Sequence, residues 1–127
     1  MKKRVIGIGG VFFKSKDNDS LKDWYRKHLG IESESWGAVF EWRRKENPEE
    51  ETYTAWSPFK ADTKYFEPSQ KDFMINYQVE NLEELVAELK AEGITVLADI
   101  EESEFGKFTW ILDLEGNKIE LWEPPKA

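Results

Sequence analysis

Hydrophobic positions along the chain alternate between strand-like and helix-like spacing, and the order of these segments is repeated once. Residues 5–14 are apolar, β-branched and aromatic, which predicts a buried strand. Candidate helix caps follow at Asp17, Asn18 and Asp19, and Gly30 is placed to end the helix. Between them, one apolar face is predicted from five residues: Leu21, Trp24, Tyr25, His28 and Leu29.

The rest of the first half predicts strands. Segments 38–43 and 53–57 have strand composition, and the charged, proline-containing segment 44–51 between them is typical of a hairpin loop. Residues 58–72 lack a regular pattern but carry Tyr65 and Phe66. A loop of this length is either a linker or a flap over a binding site.

A second strand and helix then begin. Residues 73–79 predict a strand, and Asn81 with Glu84 predicts a capped helix start. The apolar face of this helix comprises Leu82, Leu85, Val86 and Leu89. Segments 94–100, 105–112 and 118–122 predict three further strands, with a tight turn at 113–117 joining the last two.

The repeated order predicts an α+β fold made of two βαβββ modules. We place the first module at 1–60, a connecting loop at 61–72 and the second module at 73–127, all within a single domain. Neither module can cover its own sheet, so the two are expected to pair in one curved mixed sheet. Such a sheet surrounds a concave cup, where a ligand would bind.

Composition narrows the possible partners. The chain has 127 residues, 39% hydrophobic and 14% aromatic, which fits one folded domain. It contains no cysteine, which excludes disulfides, thiolate catalysis and cysteine-bound zinc. The net charge of −8 disfavours nucleic acid. The same charge either favours a cationic ligand or serves only solubility.

The sequence also predicts a cytoplasmic location with no membrane contact. The apolar segment after the basic residues 1–4 contains glycines and runs directly into charged residues, so we interpret it as a strand and not as a signal peptide. No stretch approaches the about 20 apolar residues that a membrane span needs.

Two segments resemble the vicinal-oxygen-chelate superfamily, which includes glyoxalases, bleomycin-resistance proteins and extradiol dioxygenases. They are the helix end Trp-Tyr-Arg-Lys-His-Leu-Gly at 24–30 and the segment Asp-Leu-Glu-Gly-Asn-Lys-Ile-Glu-Leu at 113–121, beside the repeated element order. The resemblance covers nearly the whole chain. It implies paired βαβββ modules, frequent homodimers and metal-assisted reactions on small molecules.

The metal ligands that this resemblance implies are mostly missing. The first position falls at or beside Gly9, with Gly10 next to it, and the second near Trp56, which has Thr54 and Ala55 as neighbours. The third falls at Met74, and only the fourth, Glu120, is a carboxylate. One carboxylate cannot hold a divalent metal, so we expect neither a metal nor another cofactor.

Glu120 and the residues around the expected cup are the candidate site. Glu120 alternates with Ile119 and Leu121, so it either faces the cup as a catalytic base or ligand acceptor, or is a family relic bonded to its neighbours. The candidate ligand-binding residues are Trp56, Met74, Asn76, Trp110 and Trp122. Each could bind aromatic or cationic groups or could simply fill the core. The single histidine, His28, lies on a helix and is expected to be non-catalytic.

Two functions follow. The first is a bleomycin-resistance-like protein that binds a small molecule, cationic or aromatic, in an aromatic cup without metal. The second is an isomerase, lyase or dioxygenase-type enzyme that uses Glu120 as a base or within an unconventional metal site. Having only one histidine disfavours glyoxalase activity. The paired sheets and aromatic content also predict a homodimer.

Overall fold

The computed structural model describes residues 4–126. Its seven strands are β1 (Val5–Ser15), β2 (Ala38–Arg43), β3 (Glu51–Lys60), β4 (Phe73–Val79), β5 (Glu101–Ser103), β6 (Gly106–Leu112) and β7 (Lys118–Glu123). Two helices, α1 (Asn18–Leu29) and α2 (Leu82–Ala91), follow β1 and β4. The α+β class with one mixed sheet is confirmed. Within the described part of the chain, no helix has the length and apolar content to span a membrane.

The sheet has the strand order β2-β3-β1-β4-β7-β6-β5. Its central pair, β1 and β4, is antiparallel, and each of these strands has a parallel neighbour, β3 and β7 respectively. Strands β2 and β6 then pair antiparallel with β3 and β7. The two halves are therefore related by an approximate two-fold axis through the β1–β4 pair.

The first half has one strand fewer than predicted. Its order is βαββ, and only the second half is βαβββ. Residues 30–37 form no strand; instead Glu34 and Gly37 exchange backbone hydrogen bonds in a tight turn. The three strands predicted individually in the first half are all present, but they form a βαββ unit and not the βαβββ module expected there.

The strand predicted at 94–100 is also wrong. This segment makes an isolated bridge, Val96 to Ile111, and two backbone hydrogen bonds alongside β6, and the actual strand β5 follows at 101–103. Its apolar residues Val96, Leu97 and Ile100 instead pack against the two core clusters. The hydrophobic pattern identified buried positions, but the backbone leaves the sheet between them.

Both helices begin and end as the sequence predicts. Asp17 caps α1 by accepting from the Ser20 backbone N–H, and Asn81 caps α2 by accepting from that of Glu84. Gly30, at a φ of 70°, closes α1 in the left-handed conformation that glycine adopts without strain. The apolar face of α2 is buried against Val79 and Leu121. By contrast, α1 has no buried residue, so its apolar face is only partly covered.

The two faces of the sheet have different roles. The outer face carries the helices: Tyr25 of α1 packs on Trp56 of β3, with ring centroids 4.9 Å apart. A second core cluster, Phe66, Met74 and Trp110, lies under the connecting segment 61–72. The inner face between these regions positions the candidate site.

Candidate functional site

A cavity of about 380 Å³ opens on the inner face of the sheet, and we call it the cup. Its wall is largely aromatic, with Phe108 stacked on Trp122 at 5.9 Å and Tyr53 tilted against Trp122 at 5.3 Å. The other lining residues come from both halves: Gly9, Phe12, Trp36, Val39, Ala55, Phe105, Asn76 and Glu120. A flat organic molecule could therefore contact rings on several sides.

Strand register aligns four residues across the floor of the cup. Gly10 pairs with Ala55 of β3 on one side and with Asn76 of β4 on the other, and Asn76 pairs with Glu120 of β7. We call these four residues the cross-sheet row. The approximate two-fold axis relates Gly10 to Asn76 and Ala55 to Glu120. Asn76 and Glu120, the polar pair of the second half, thus correspond to Gly10 and Ala55 in the first half. These two small residues leave space for the cup.

Glu120 is the centre of the polar part. It is only 4% exposed, and three donors hold its carboxylate. Asn76 Nδ2 donates to Oε1 at 2.6 Å, Trp110 Nε1 donates to Oε2 at 2.8 Å, and the Tyr65 hydroxyl also donates to Oε2. A buried carboxylate needs such partners because desolvation would otherwise make its charge costly.

Tyr65 comes from the connecting segment 61–72 and closes one side of this cluster. Burial and the negative charge of Glu120 raise the pKa of the Tyr65 hydroxyl well above its ordinary value. The phenol therefore stays protonated at physiological pH and remains a donor. The segment that the sequence left open as linker or flap is anchored to the site through this residue.

Lys118 is the nearest basic side chain to the cluster. Its Nζ donates to the Tyr65 carbonyl at 2.6 Å and lies 5.0 Å and 5.6 Å from the ring centroids of Tyr65 and Trp110. Burial lowers the pKa of Lys118, and the charge of Glu120 partly opposes this effect. Among the described residues, no lysine or arginine forms an ion pair with Glu120.

The predicted site residues divide into three groups. Asn76, Trp122 and Glu120 line the cup. Trp110 lies beneath it as a donor to Glu120. Met74 and Trp56 are elsewhere: Met74 is fully buried in the core cluster, and Trp56 packs on the outer face against Phe13 and Tyr25.

Strand alternation explains the position of Trp56, whereas Met74 lies on the same face of β4 as Asn76 but within the core cluster. Ala55, one residue before Trp56, is the β3 residue that faces the cup, and Asn76, two residues after Met74, is the β4 residue paired with Glu120. Because side chains alternate along a strand, an offset of one residue moves a side chain to the opposite face.

Several site residues were not predicted. Tyr53 and Phe108 share a face with Ala55 and Trp110, so strand alternation could have indicated them. Trp36, Phe105 and Tyr65 lie in loops, where no periodicity indicates the direction of a side chain.

The site does not fit the metal that the family resemblance implies. In the cross-sheet row, Gly10 and Ala55 offer no side-chain ligand atom, which leaves only Asn76 Oδ1 and Glu120 as oxygen ligands. Between residues 4 and 126, no group of three or more histidine, aspartate or glutamate side chains is arranged to hold a metal ion. These residues therefore give no basis for metal-assisted chemistry at this position.

Solved structures with the same fold include methylmalonyl-CoA epimerases. The Mycobacterium tuberculosis enzyme matches with a TM-score of 0.68 at 17% identity, over 99% of this chain and 93% of that one. A variant of the Streptomyces coelicolor epimerase, in complex with 2-nitronate-propionyl-CoA, gives a TM-score of 0.69 at 18% identity, over 96% of this chain and 99% of that one.

A Legionella pneumophila structure described as an NAD-dependent benzaldehyde dehydrogenase matches with a TM-score of 0.59 at 16% identity, over 91% of this chain and 98% of that one. No protein-family model and no curated protein sequence matches the chain. These structural similarities confirm the predicted vicinal-oxygen-chelate fold. At 16–18% sequence identity they support only the fold and not a shared activity.

Proposed function

We propose, from the vicinal-oxygen-chelate fold that the chain shares with these epimerases, that the protein binds a small organic molecule in the cup without a metal ion. The observation that carries the proposal is the aromatic cavity of about 380 Å³ with one buried carboxylate on its floor. Pockets for small ligands commonly have volumes of about 300–1,000 Å³ and apolar walls with few polar groups.

The chemistry of the wall supports an aromatic or cationic ligand. Aromatic rings attract other flat rings by offset or edge-to-face contact and attract cations through their faces. The net charge of −8 adds a field that favours cations over anions. Binding and sequestration, as in bleomycin-resistance proteins, need no catalytic group beyond these features.

An enzyme of the isomerase type is the second candidate, and one feature of Glu120 favours it. An ionised carboxylate has about four acceptor positions, and the three donors leave one of them open, on Oε1. A base at that position could accept a proton from a bound substrate.

Tryptophan fluorescence tests the binding proposal. We would screen purified protein with soluble benzene derivatives that do not absorb at the tryptophan excitation wavelength. We expect a saturable change in emission, because Trp122 lines the cup. In Trp122→Phe most of this change should disappear. In Trp24→Phe, which alters an exposed tryptophan on α1, it should persist.

Two results would count against the proposal. A saturable change that is lost in Trp24→Phe and kept in Trp122→Phe would place binding outside the cup. Turnover of a bound compound that is abolished in Glu120→Gln while binding persists would favour the enzyme.

We also infer that the protein is a cytoplasmic homodimer. Large apolar side chains at the rim of the cup and on α1 are half exposed or more, including Trp36 at 50%, Trp24 at 51% and Phe105 at 59%. Apolar surface of this kind commonly marks a protein contact.

A further inference from the structure

We propose that the cup recognises a protonated nitrogen of its ligand through two acceptor atoms, Oδ1 of Asn76 and Oε1 of Glu120. The inference rests on the proposed function and specifies the chemistry of its ligand. It follows from two observations: Asn76 Oδ1 has no hydrogen-bond partner, and the neighbouring carboxylate of Glu120 has one unused acceptor position.

The orientation of the Asn76 amide is fixed by its neighbour. Nδ2 donates to Glu120 Oε1 at 2.6 Å, and a carboxylate can only accept, so the amide oxygen must point away from Glu120. That oxygen, Oδ1, has no hydrogen-bond partner, although Asn76 is only 2% exposed. A buried acceptor without a donor is costly, and most such groups are satisfied by water or a ligand.

Oδ1 of Asn76 lies beside a residue that lines the cup. It is in close approach to Gly9, which lines the cavity with Asn76, and a Cβ at position 9 would overlap it. The same Cβ would come within 2.8 Å of Trp122 Cε3. The absence of a side chain at Gly9 thus leaves room for both the amide oxygen and the ring of Trp122 beside this lining residue.

Glu120 supplies the second acceptor and the charge. Its Oε2 already accepts from Tyr65 and Trp110, whereas its Oε1 accepts from Asn76 alone. No described lysine or arginine pairs with this carboxylate, since Lys118 Nζ donates to the Tyr65 carbonyl. Lys118 lies close enough to interact with the charge of Glu120, but it forms no ion pair with the carboxylate, so Oε1 keeps an open position for a cation that enters the cup.

An ammonium group matches this arrangement better than other polar groups do. It has three donor hydrogens and no acceptor, so it can bond both oxygens and lie against an aromatic face. A hydroxyl has one donor hydrogen and satisfies one oxygen only. A carboxylate offers no donor and would be repelled by Glu120.

Three matched probes test the proposal: phenethylamine, 2-phenylethanol and 3-phenylpropanoate, each titrated at pH 7 by calorimetry. We expect phenethylamine to bind about tenfold tighter than 2-phenylethanol, as one additional charge-assisted hydrogen bond would give. We expect 3-phenylpropanoate to bind most weakly. Added salt should reduce the preference for the amine only partly, because the carboxylate is buried.

The variant Glu120→Gln should remove the preference for phenethylamine and leave 2-phenylethanol binding, which also reports that the variant is folded. Glu115→Gln makes the same change of charge in an exposed turn and should bind all three probes like the original protein. If Glu115→Gln lost the preference for phenethylamine to the same extent, the preference would come from the net negative charge of the protein and not from Glu120. That result would overturn the proposal.

The outcomes separate this proposal from the proposed function. Equal affinity for phenethylamine and 2-phenylethanol would overturn the proposed recognition of a protonated nitrogen, but it would still support binding of small molecules in the cup. Tightest binding of 3-phenylpropanoate would overturn it in the same way. Failure of all three probes to bind would overturn both.

Discussion

At the scale of single residues, the site depends on how Glu120 is stabilised. Its three donors come from β4, β6 and the connecting segment, so the carboxylate links parts of the chain that are distant in sequence. Such a charge-assisted cluster contributes to stability only while its geometry is kept, because an unpaired buried charge is strongly unfavourable. The same contacts that support binding therefore also hold the connecting segment on the sheet.

The substitution Tyr65→Phe tests this dual role. It removes one donor to Glu120 while keeping the ring that stacks on Phe59 at 5.7 Å. We expect the free energy of unfolding to fall by about 1–3 kcal/mol, the usual effect of losing a hydrogen bond to a charged group. Urea denaturation followed by circular dichroism would measure it. Tyr25→Phe removes a hydroxyl on α1 and should have little effect. A similar loss in both variants would contradict the assigned role.

Residue-level prediction from sequence succeeded where alternation was clear and failed where register or loop direction decided the outcome. Glu120 was found because Ile119 and Leu121 identify the opposite face. Ala55 was not chosen in place of its neighbour Trp56, because the sequence alone did not show which of the two faces the cup. Tyr65 could not be predicted as a donor to Glu120, since 55 residues separate them and only the folded loop brings them together.

At the scale of elements, the helices and most strands follow from periodicity and caps. The exceptions are informative: residues 94–100 are apolar enough for a strand, but they pack into two core clusters and pair only briefly with β6. The exposed sequence of β5 gave no hydrophobic signal, since all three of its residues are solvent-facing. Local pattern predicts the buried face of α2, but it does not predict that the apolar face of α1 stays largely uncovered, and it predicts backbone pairing less well.

The β6–β7 turn provides a prediction about pH. The Asp113 carboxylate accepts from the Asn117 side chain and from the backbone N–H groups of Asn117 and Glu115. These bonds hold the pKa of Asp113 below its ordinary value. A lowered folded-state pKa adds stability above the unfolded value of about 3.9, and this is lost as the pH falls through the folded value.

Asp113→Asn should accordingly unfold at a lower urea concentration than the original protein at pH 7, and the difference should shrink as the pH falls below about 4. Asp62→Asn is the control, because the side chain of Asp62 forms no hydrogen bond among the described residues. A difference between the original protein and Asp113→Asn that does not change with pH would refute the assigned linkage.

At the scale of the whole molecule, both halves of the chain contribute lining residues to the cup. The helices cover the outer face unequally, since α2 buries four apolar residues and α1 buries none. The exposed apolar surface on α1 includes Trp24 and Leu29, at 51% and 61% exposure. An uneven cover of this kind favours association of two copies.

Light scattering after size-exclusion chromatography tests the dimer. We expect a mass twice the 14.9 kDa of one chain, persisting on moderate dilution. Trp24→Ser combined with Leu29→Ser should shift the mass towards that of a monomer if α1 forms the contact. A mass of one chain for the unaltered protein at high concentration would show that the exposed apolar surface is not a dimer interface.

The approximate two-fold axis has a further consequence for how a guest molecule would sit. A cup built from two equivalent halves would accept an elongated guest in either of two opposite orientations. Here one half presents Gly10 and Ala55, and the other presents Asn76 and Glu120. The two ends of the cup differ in polarity, so a guest with one polar and one apolar end has a single favoured orientation. Because the two halves present different side chains, the cup favours one orientation of such a guest over the opposite one.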